Sequence, residues 1–173
     1  MKRLMLMRHA KTEPWFQGTD DISRALLPRG YTDTSLIGKY LVASKWRPDR
    51  VLVSTARRTR ETWGGLAPLF PGAEAHLLDD LYLTGTRGID GLVRAHEDVK
   101  TLMIIGHNPG IHDFACQILR EAGTQDQPSA QMLFMKMPTG ATALFEAGND
   151  RSFDPVDFPL AQFVRPKALR AGD

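Results

Sequence analysis

The stretch Thr101-Leu102-Met103-Ile104-Ile105-Gly106-His107-Asn108-Pro109-Gly110 decides how the chain is read. Its first half is apolar without alternation and carries β-branched residues, which predicts a central strand. Gly106 to Gly110 turns the chain out of that strand, and a helix is expected to follow to about Glu121. Two earlier runs have the same form. Leu4 to Met7 reads as a first strand buried on both faces, and Val51-Leu52-Val53 as a second, with Ser54 at its carboxyl end. A helix is expected from Pro28 to Trp46, where Leu36, Ile37, Tyr40 and Leu41 form a stripe. Another runs from about Arg57 to Leu69 and closes at Pro71-Gly72. Leu77 and Leu78 suit a short edge strand, Ile89 to His96 a brief helix, and Gly123 to Ser129 an exposed loop. Two late strands fall at Ala143 to Glu146 and Gln162 to Val164. This alternation is the signature of an α/β fold with a largely parallel sheet. No repeat or linker interrupts it, so one domain is expected over 1–173.

Composition narrows the function classes. The chain has 173 residues, 42% hydrophobic and 24% charged, with a formal net charge of +2. Its Lys and Arg are dispersed, which argues against nucleic-acid binding but leaves room for a local basic pocket. Cys116 is the single cysteine, so neither an intramolecular disulfide nor a cysteine-based zinc site can form. The N-terminal segment Met1 to Met7 starts like a signal peptide, but Arg8 and His9 cut it short. No segment reads as membrane-spanning, and a reduced cytoplasmic setting is expected.

Three polar clusters follow three expected strands: Arg8-His9, Ser54 to Arg58, and His107-Asn108. In open parallel sheets the carboxyl ends of the strands face one crevice, where ligands bind. Neighbouring strands would bring two histidines and at least two arginines together there. Arginine's planar fork of donors matches phosphate oxygens. A histidine among arginines is biased towards the neutral form, whose lone pair can attack phosphorus. A second histidine can donate to oxygens on which charge develops.

The chain resembles the histidine phosphatase superfamily, also called phosphoglycerate-mutase-like, and within it the short SixA-type phosphohistidine phosphatases. The Arg-His-Gly/Ala signature stands as Arg8-His9-Ala10, followed by Lys11-Thr12. The next element is matched by Asp21, Arg24, Leu26 and Gly30. Ser-Pro-x-x-Arg-x-x-x-Thr stands as Ser54 to Thr62, which makes Arg58, not Arg57, the second phosphate-binding arginine. Gly106-His107-Asn108-Pro109 is intact, and Val164-Arg165-Pro166-Lys167 is similar to that branch's closing strand. Thr55 stands in place of proline, and Ala25 and Leu27 in place of Pro and Thr/Ser.

The resemblance implies a three-layer sandwich with a predominantly parallel central sheet and helices on both faces. It implies His9 as nucleophile, Arg8 and Arg58 as phosphoryl holders, and His107 as the group that stabilises the transferring oxygens. Its register places the general acid at Asp80, with Asp79 the immediate rival and the substrate itself a third source of the proton. Asn108, Thr12 and Ser54 are candidate substrate contacts. Two of them have plainer structural readings, turn chemistry for Asn108 and helix capping for Ser54, and Thr59 suits a cap as well. Neither a metal nor an organic cofactor is implied. The lid of larger relatives has no counterpart in length, so an open site is expected, suited to a phosphohistidine on a partner protein. A small-molecule phosphomonoesterase or mutase and a catalytically silent phosphate-binding module are the alternatives. His76, His96 and His112 lack motifs, Cys116 suits a small buried side chain, and the methionines suit core filling.

Overall fold

The computed structural model describes residues 1–170. In them β1 (Arg3–Arg8) leads to α1 (Pro28–Ala43), β2 (Arg50–Ser54), α2 (Arg57–Leu66) and β3 (Glu74–Leu78). Then come α3 (Thr86–Ala95), β4 (Thr101–Gly106), α4 (Gly110–Glu121), α5 (Pro128–Met135), β5 (Thr142–Glu146), β6 (Leu160–Val164) and α6 (Pro166–Arg170). The strands form one sheet in the order β3-β2-β4-β1-β5-β6. The pairings from β3 through β1 are parallel, whereas β5 runs antiparallel to both β1 and β6. The sheet is therefore mixed and mostly parallel, with β5 alone reversed.

Every residue of β4 is buried, which its unbroken apolar character requires. Side chains alternate across a strand, so each central strand feeds two cores. Leu4, Leu6, Leu52 and Ile104 join Val93, Phe114 and Ile118 on one face. Met5, Met7, Val53 and Ile105 join Ile37, Leu41 and Leu66 on the other. Full burial of such a side chain contributes about 1.5–3 kcal/mol. Helices α1, α2 and α6 thus cover one face and α3, α4 and α5 the other.

The differences from expectation are local. Helix α1 stops at Ala43 rather than Trp46, because Lys45 adopts a left-handed φ of 59° and turns Trp46 into the core. The loop after α4 is shorter than expected, since Pro128 starts α5. Ala130 and Leu133 bury one side of that helix, but Met135 is 86% exposed, so it does not fill the core. Met5, Met7 and Met137 do. Among the described residues no helix is long and apolar enough to cross a membrane.

Candidate active site

Strands β1, β4 and β2 are neighbours, with Arg8 opposite Gly106 and Val53 opposite Ile105. His9, His107 and Ser54 therefore leave adjacent strands at one end of the sheet. The His9 and His107 rings lie 5.4 Å apart between centroids, and both side chains are buried.

His9 is oriented by its own backbone. Its Nδ1 lies 2.8 Å from the Ala10 carbonyl oxygen, which can only accept, so Nδ1 carries the proton and Nε2 keeps a lone pair. Burial above all, then His107, Arg8 and Arg58, lowers its pKa to about 3 against the favourable Ala10 contact. The ring is neutral at pH 7. The loop that follows is fixed by Thr62, whose Oγ1 accepts from Ala10 N at 3.0 Å and donates to the Arg58 carbonyl. Gly140 N donates to the carbonyls of Arg8 and His9 from the other side.

His107 is held by both nitrogens. Arg58 Nε donates to Nδ1 at 3.2 Å, so the proton sits on Nε2, which faces Ser54 Oγ at 2.8 Å. Burial, then Arg58, brings its pKa to about 3 despite Asp21 nearby. Ser54 therefore serves His107 rather than capping α2, whose first turn has no side-chain cap. Thr59 instead donates to the Ser54 and Ala56 carbonyls.

The two arginines differ in how much of their donor capacity is spent. Arg58 is 2% exposed. It gives three N–H groups to His107 Nδ1, the Asp21 carbonyl and Asp21 Oδ2. Among the described residues Arg8 gives only Nη1 to the Met137 carbonyl, and its buried Nε has no hydrogen-bond partner. A buried donor left unpaired costs about 1–3 kcal/mol, and an incoming oxyanion would recover it. Arg57, by contrast, sits half-exposed in an ion pair with Glu61.

The remaining expected residues are placed as follows. Thr12 Oγ1 donates to the Ala25 carbonyl while lining a cavity of about 210 Å³ together with Arg8, His9, Lys11, Arg24 and Thr139. Asn108 Nδ2 donates to the Met137 carbonyl, the acceptor that Arg8 also uses, and among the described residues its buried Oδ1 has no partner. Asp79 Oδ1 accepts from Thr55 Oγ1 at 2.7 Å. The hydroxyl standing in place of the family proline thus ties down the Asp79–Leu81 turn. Asp80 is exposed on that turn and makes no hydrogen bond or ion pair among the described residues.

The carboxylate that reaches the cluster is Asp21. Its Oδ2 lies 3.0 Å from Arg58 Nη2 and accepts from the Tyr82 hydroxyl at 2.8 Å, and Arg24 pairs with its other oxygen. Burial raises its pKa, but Tyr82, Arg24 and Arg58 prevail and bring it down to about 2. Tyr82 also stands edge-on to the His107 ring at 5.6 Å. The spaced motif contains Asp21 and Thr62 without announcing these contacts, and Tyr82 carries no signal beyond its place after the acidic pair. Among the described residues no group of three His, Cys, Asp or Glu side chains is arranged to hold a metal ion.

A mostly parallel α/β sheet with paired histidines and arginines at its carboxyl end defines a class of phosphoryl-handling proteins. The pattern described as the histidine phosphatase superfamily (branch 1) matches residues 4–82. An uncharacterized protein of Mycobacterium tuberculosis is 34% identical over 164 residues, spanning 93% of this chain and 100% of that one. Among solved structures, a protein assigned as the phosphohistidine phosphatase SixA from Agrobacterium tumefaciens superposes with a TM-score of 0.81 at 25% identity. The match covers 95% of this chain and 98% of that one. Its counterpart from Nakamurella multipartitia matches with the same score and identity over 95% and 96%. The chain belongs to the histidine phosphatase superfamily, in its SixA-type branch.

Proposed function

We propose that the chain is a metal-independent phosphohistidine phosphatase that forms a phosphoryl intermediate on His9 Nε2. The observation that carries this reading is the pairing of a neutral His9, its proton fixed on Nδ1 by Ala10, with the unspent donors of Arg8. Arg8, with the two N–H groups that Arg58 has left, holds the phosphoryl oxygens. The Nε2 lone pair forms a P–N bond as the bond from phosphorus to the substrate's imidazole breaks, and the departing ring takes up a proton. Water then attacks phospho-His9; its oxygen bonds to phosphorus, the P–N bond electrons return to Nε2, and phosphate leaves with the proton balance closed by solvent. A phosphoryl dianion beside His107 favours its protonated form, and once Arg58 Nε turns from Nδ1 towards the phosphoryl group, the new Nδ1–H donates to a transferring oxygen.

Two carboxylates can deliver the leaving-group proton. Asp80 is unengaged and exposed. Asp21 is held ionised at rest by Tyr82, Arg24 and Arg58, and a phosphoryl group that draws Arg58 away raises its pKa. Thr12, Ser54 and Asn108 act through Ala25, His107 and Met137, as positioning residues. The substrate is assigned to a partner protein because Trp15 and Phe16 stand exposed on the loop whose Glu13 and Pro14 line the cavity beside His9.

The test is phosphate release from a phosphohistidine-bearing protein and from an aryl phosphate, with chelator present. Native protein is expected to turn over both, favouring the first. His9→Ala should lose on the order of 10³-fold or more in kcat, and native protein quenched in turnover should carry acid-labile phosphate. Undiminished turnover by His9→Ala sinks the mechanism, and activity lost to the chelator sinks metal independence. Asp80→Asn and Asp21→Asn, assayed on the aryl phosphate and on an alkyl phosphate, identify the acid as whichever costs more on the alkyl ester than on the aryl one, because only the poorer leaving group depends on a delivered proton.

A further inference from the structure

A second cavity, of about 180 Å³, lies beside the phosphoryl pocket and is lined by Arg29, Asp33, Thr139, Arg165, Lys167 and Arg170. Thr139 lines both cavities. The next residue, Gly140, donates its N–H to the His9 carbonyl at 2.9 Å. A Cβ built on Gly140 would meet Pro166 Cγ at 2.9 Å and Asp33 Cβ at 3.9 Å. One short segment, Pro138 to Gly140, is therefore the wall between the nucleophile and the second cavity.

That cavity concentrates charge. Four cations surround one carboxylate, a local excess of three, where the whole chain carries a formal +2. Asp33 is 2% exposed and pairs with Arg170 Nη1 and, at 3.7 Å, with Arg29 Nε. It holds these two in place and neutralises one charge. Among the described residues Arg165 donates only to the sulfur of Met132, a weak acceptor, and Lys167 has no ion pair. Like charges gathered around a cavity repel one another, and an anion entering it relieves the repulsion. The Arg165-Pro166-Lys167 motif, which the chemistry at His9 does not use, supplies half of the cations.

We propose that this cleft is an anion subsite that takes carboxylate side chains flanking the phosphohistidine of the protein substrate. The assignment rests on the phosphohistidine reading above. A polypeptide is favoured over a compact bisphosphate because the Pro138–Gly140 wall separates the two sites, so the two anionic groups must sit on branches that pass over it. Arginine forks and a lysine suit carboxylates at such a distance from the reacting phosphorus.

The experiment uses two phosphohistidine peptides that differ only in Asp and Glu, or Asn and Gln, around the modified residue, with an aryl phosphate as a third substrate. Native protein should show a KM about tenfold lower for the acidic peptide, an advantage that fades with salt. Arg165→Gln/Lys167→Gln should raise the acidic peptide's KM to that of the neutral one, leaving kcat and aryl phosphate turnover in place. Lys167→Gln alone, at an exposed position, should move the same way by about threefold. Equal KM values for the two peptides in native protein overturn the subsite, as does an equal loss on all three substrates in the variant. A bisphosphorylated sugar that competes better than the acidic peptide overturns the choice of ligand. Failure of the reading at His9 shows separately, as absence of His9-dependent turnover on the aryl phosphate.

Discussion

The two ends of the central sheet use the same residue types to opposite ends. At the amino end Arg3 meets Glu146 through Nε and Nη2, each at 2.9 Å, and stacks over Trp46. Arg50, at the start of β2, pairs with Glu74 and Asp98. At the carboxyl end, among the described residues, Arg8 has a carbonyl and no carboxylate, and Arg58 shares a single carboxylate with Arg24 and Tyr82. The buried His9 and His107 add acceptors without adding negative charge. Neutralised charge closes one end of the sheet, and charge left without a partner prepares the other for an anion.

Removing the unspent donors should produce the largest effect. Arg8→Gln is expected to lower kcat/KM for either phosphorylated substrate by about 10²–10³-fold, the usual loss on deleting a group that meets developing charge. Thermal stability should hold or rise, because an incompletely paired, half-buried cation disappears with it. Steady-state kinetics and calorimetry on one preparation check both halves. A variant that unfolds more easily while its surviving fraction turns over normally would make Arg8 a structural residue and erase the contrast between the two ends.

A pH series sharpens the comparison further. His9 and His107 hold pKa values near 3 in the fold against about 6.5 free. Between those limits the unfolded chain binds more protons, so stability rises with pH and is lost as pH falls from 6.5 towards 3. Asp21, lowered from 3.8 to about 2, adds stability above its free value that goes only as pH falls through that lower window. Thermal unfolding of native protein should therefore weaken steadily below pH 6.5. His9→Gln/His107→Gln should show a flatter profile down to about pH 4. Parallel profiles for the two proteins would place the acid sensitivity outside the carboxyl end.

The sheet was legible in the sequence because its central strands are continuous apolar runs, and Leu4 to Met7, Val51 to Val53 and Thr101 to Ile105 could hardly be anything else. The four residues that meet at the carboxyl end of its central strands were legible because each stands one or a few positions beyond such a run. Helix α5 was not, since Met132, Phe134 and Met135 give it apolar residues on more than one side and leave no clean stripe to read. Asp21 lay within a recognised motif, but its reach to Arg58 depends on the Asp21–Ser23 3-10 turn, which is set by the Asp20 cap. Leu27 shows a related limit. It occupies the N-cap of α1 with no side-chain cap, and only the structure reveals that Ala25, in place of proline, frees an N–H for Glu13. Pairing of charge is a property of distant residues, 143 positions apart for Arg3 and Glu146, and no local pattern encodes it.

The smallest expected effect lies at the closed end. Arg50→Gln removes contacts to Glu74 and Asp98, both more than half exposed. Water screens such pairs, so the loss should be small and should shrink further as salt is raised. Turnover should not change, because Arg50 sits at the opposite end of β2 from Ser54. Equilibrium unfolding at low and high salt, with the aryl phosphate assay alongside, checks both. If Arg50→Gln slows turnover at full stability, the two ends are coupled through β2. The carboxyl end would then owe its geometry to charge pairing at the far end of the strand as well as to its local hydrogen bonds.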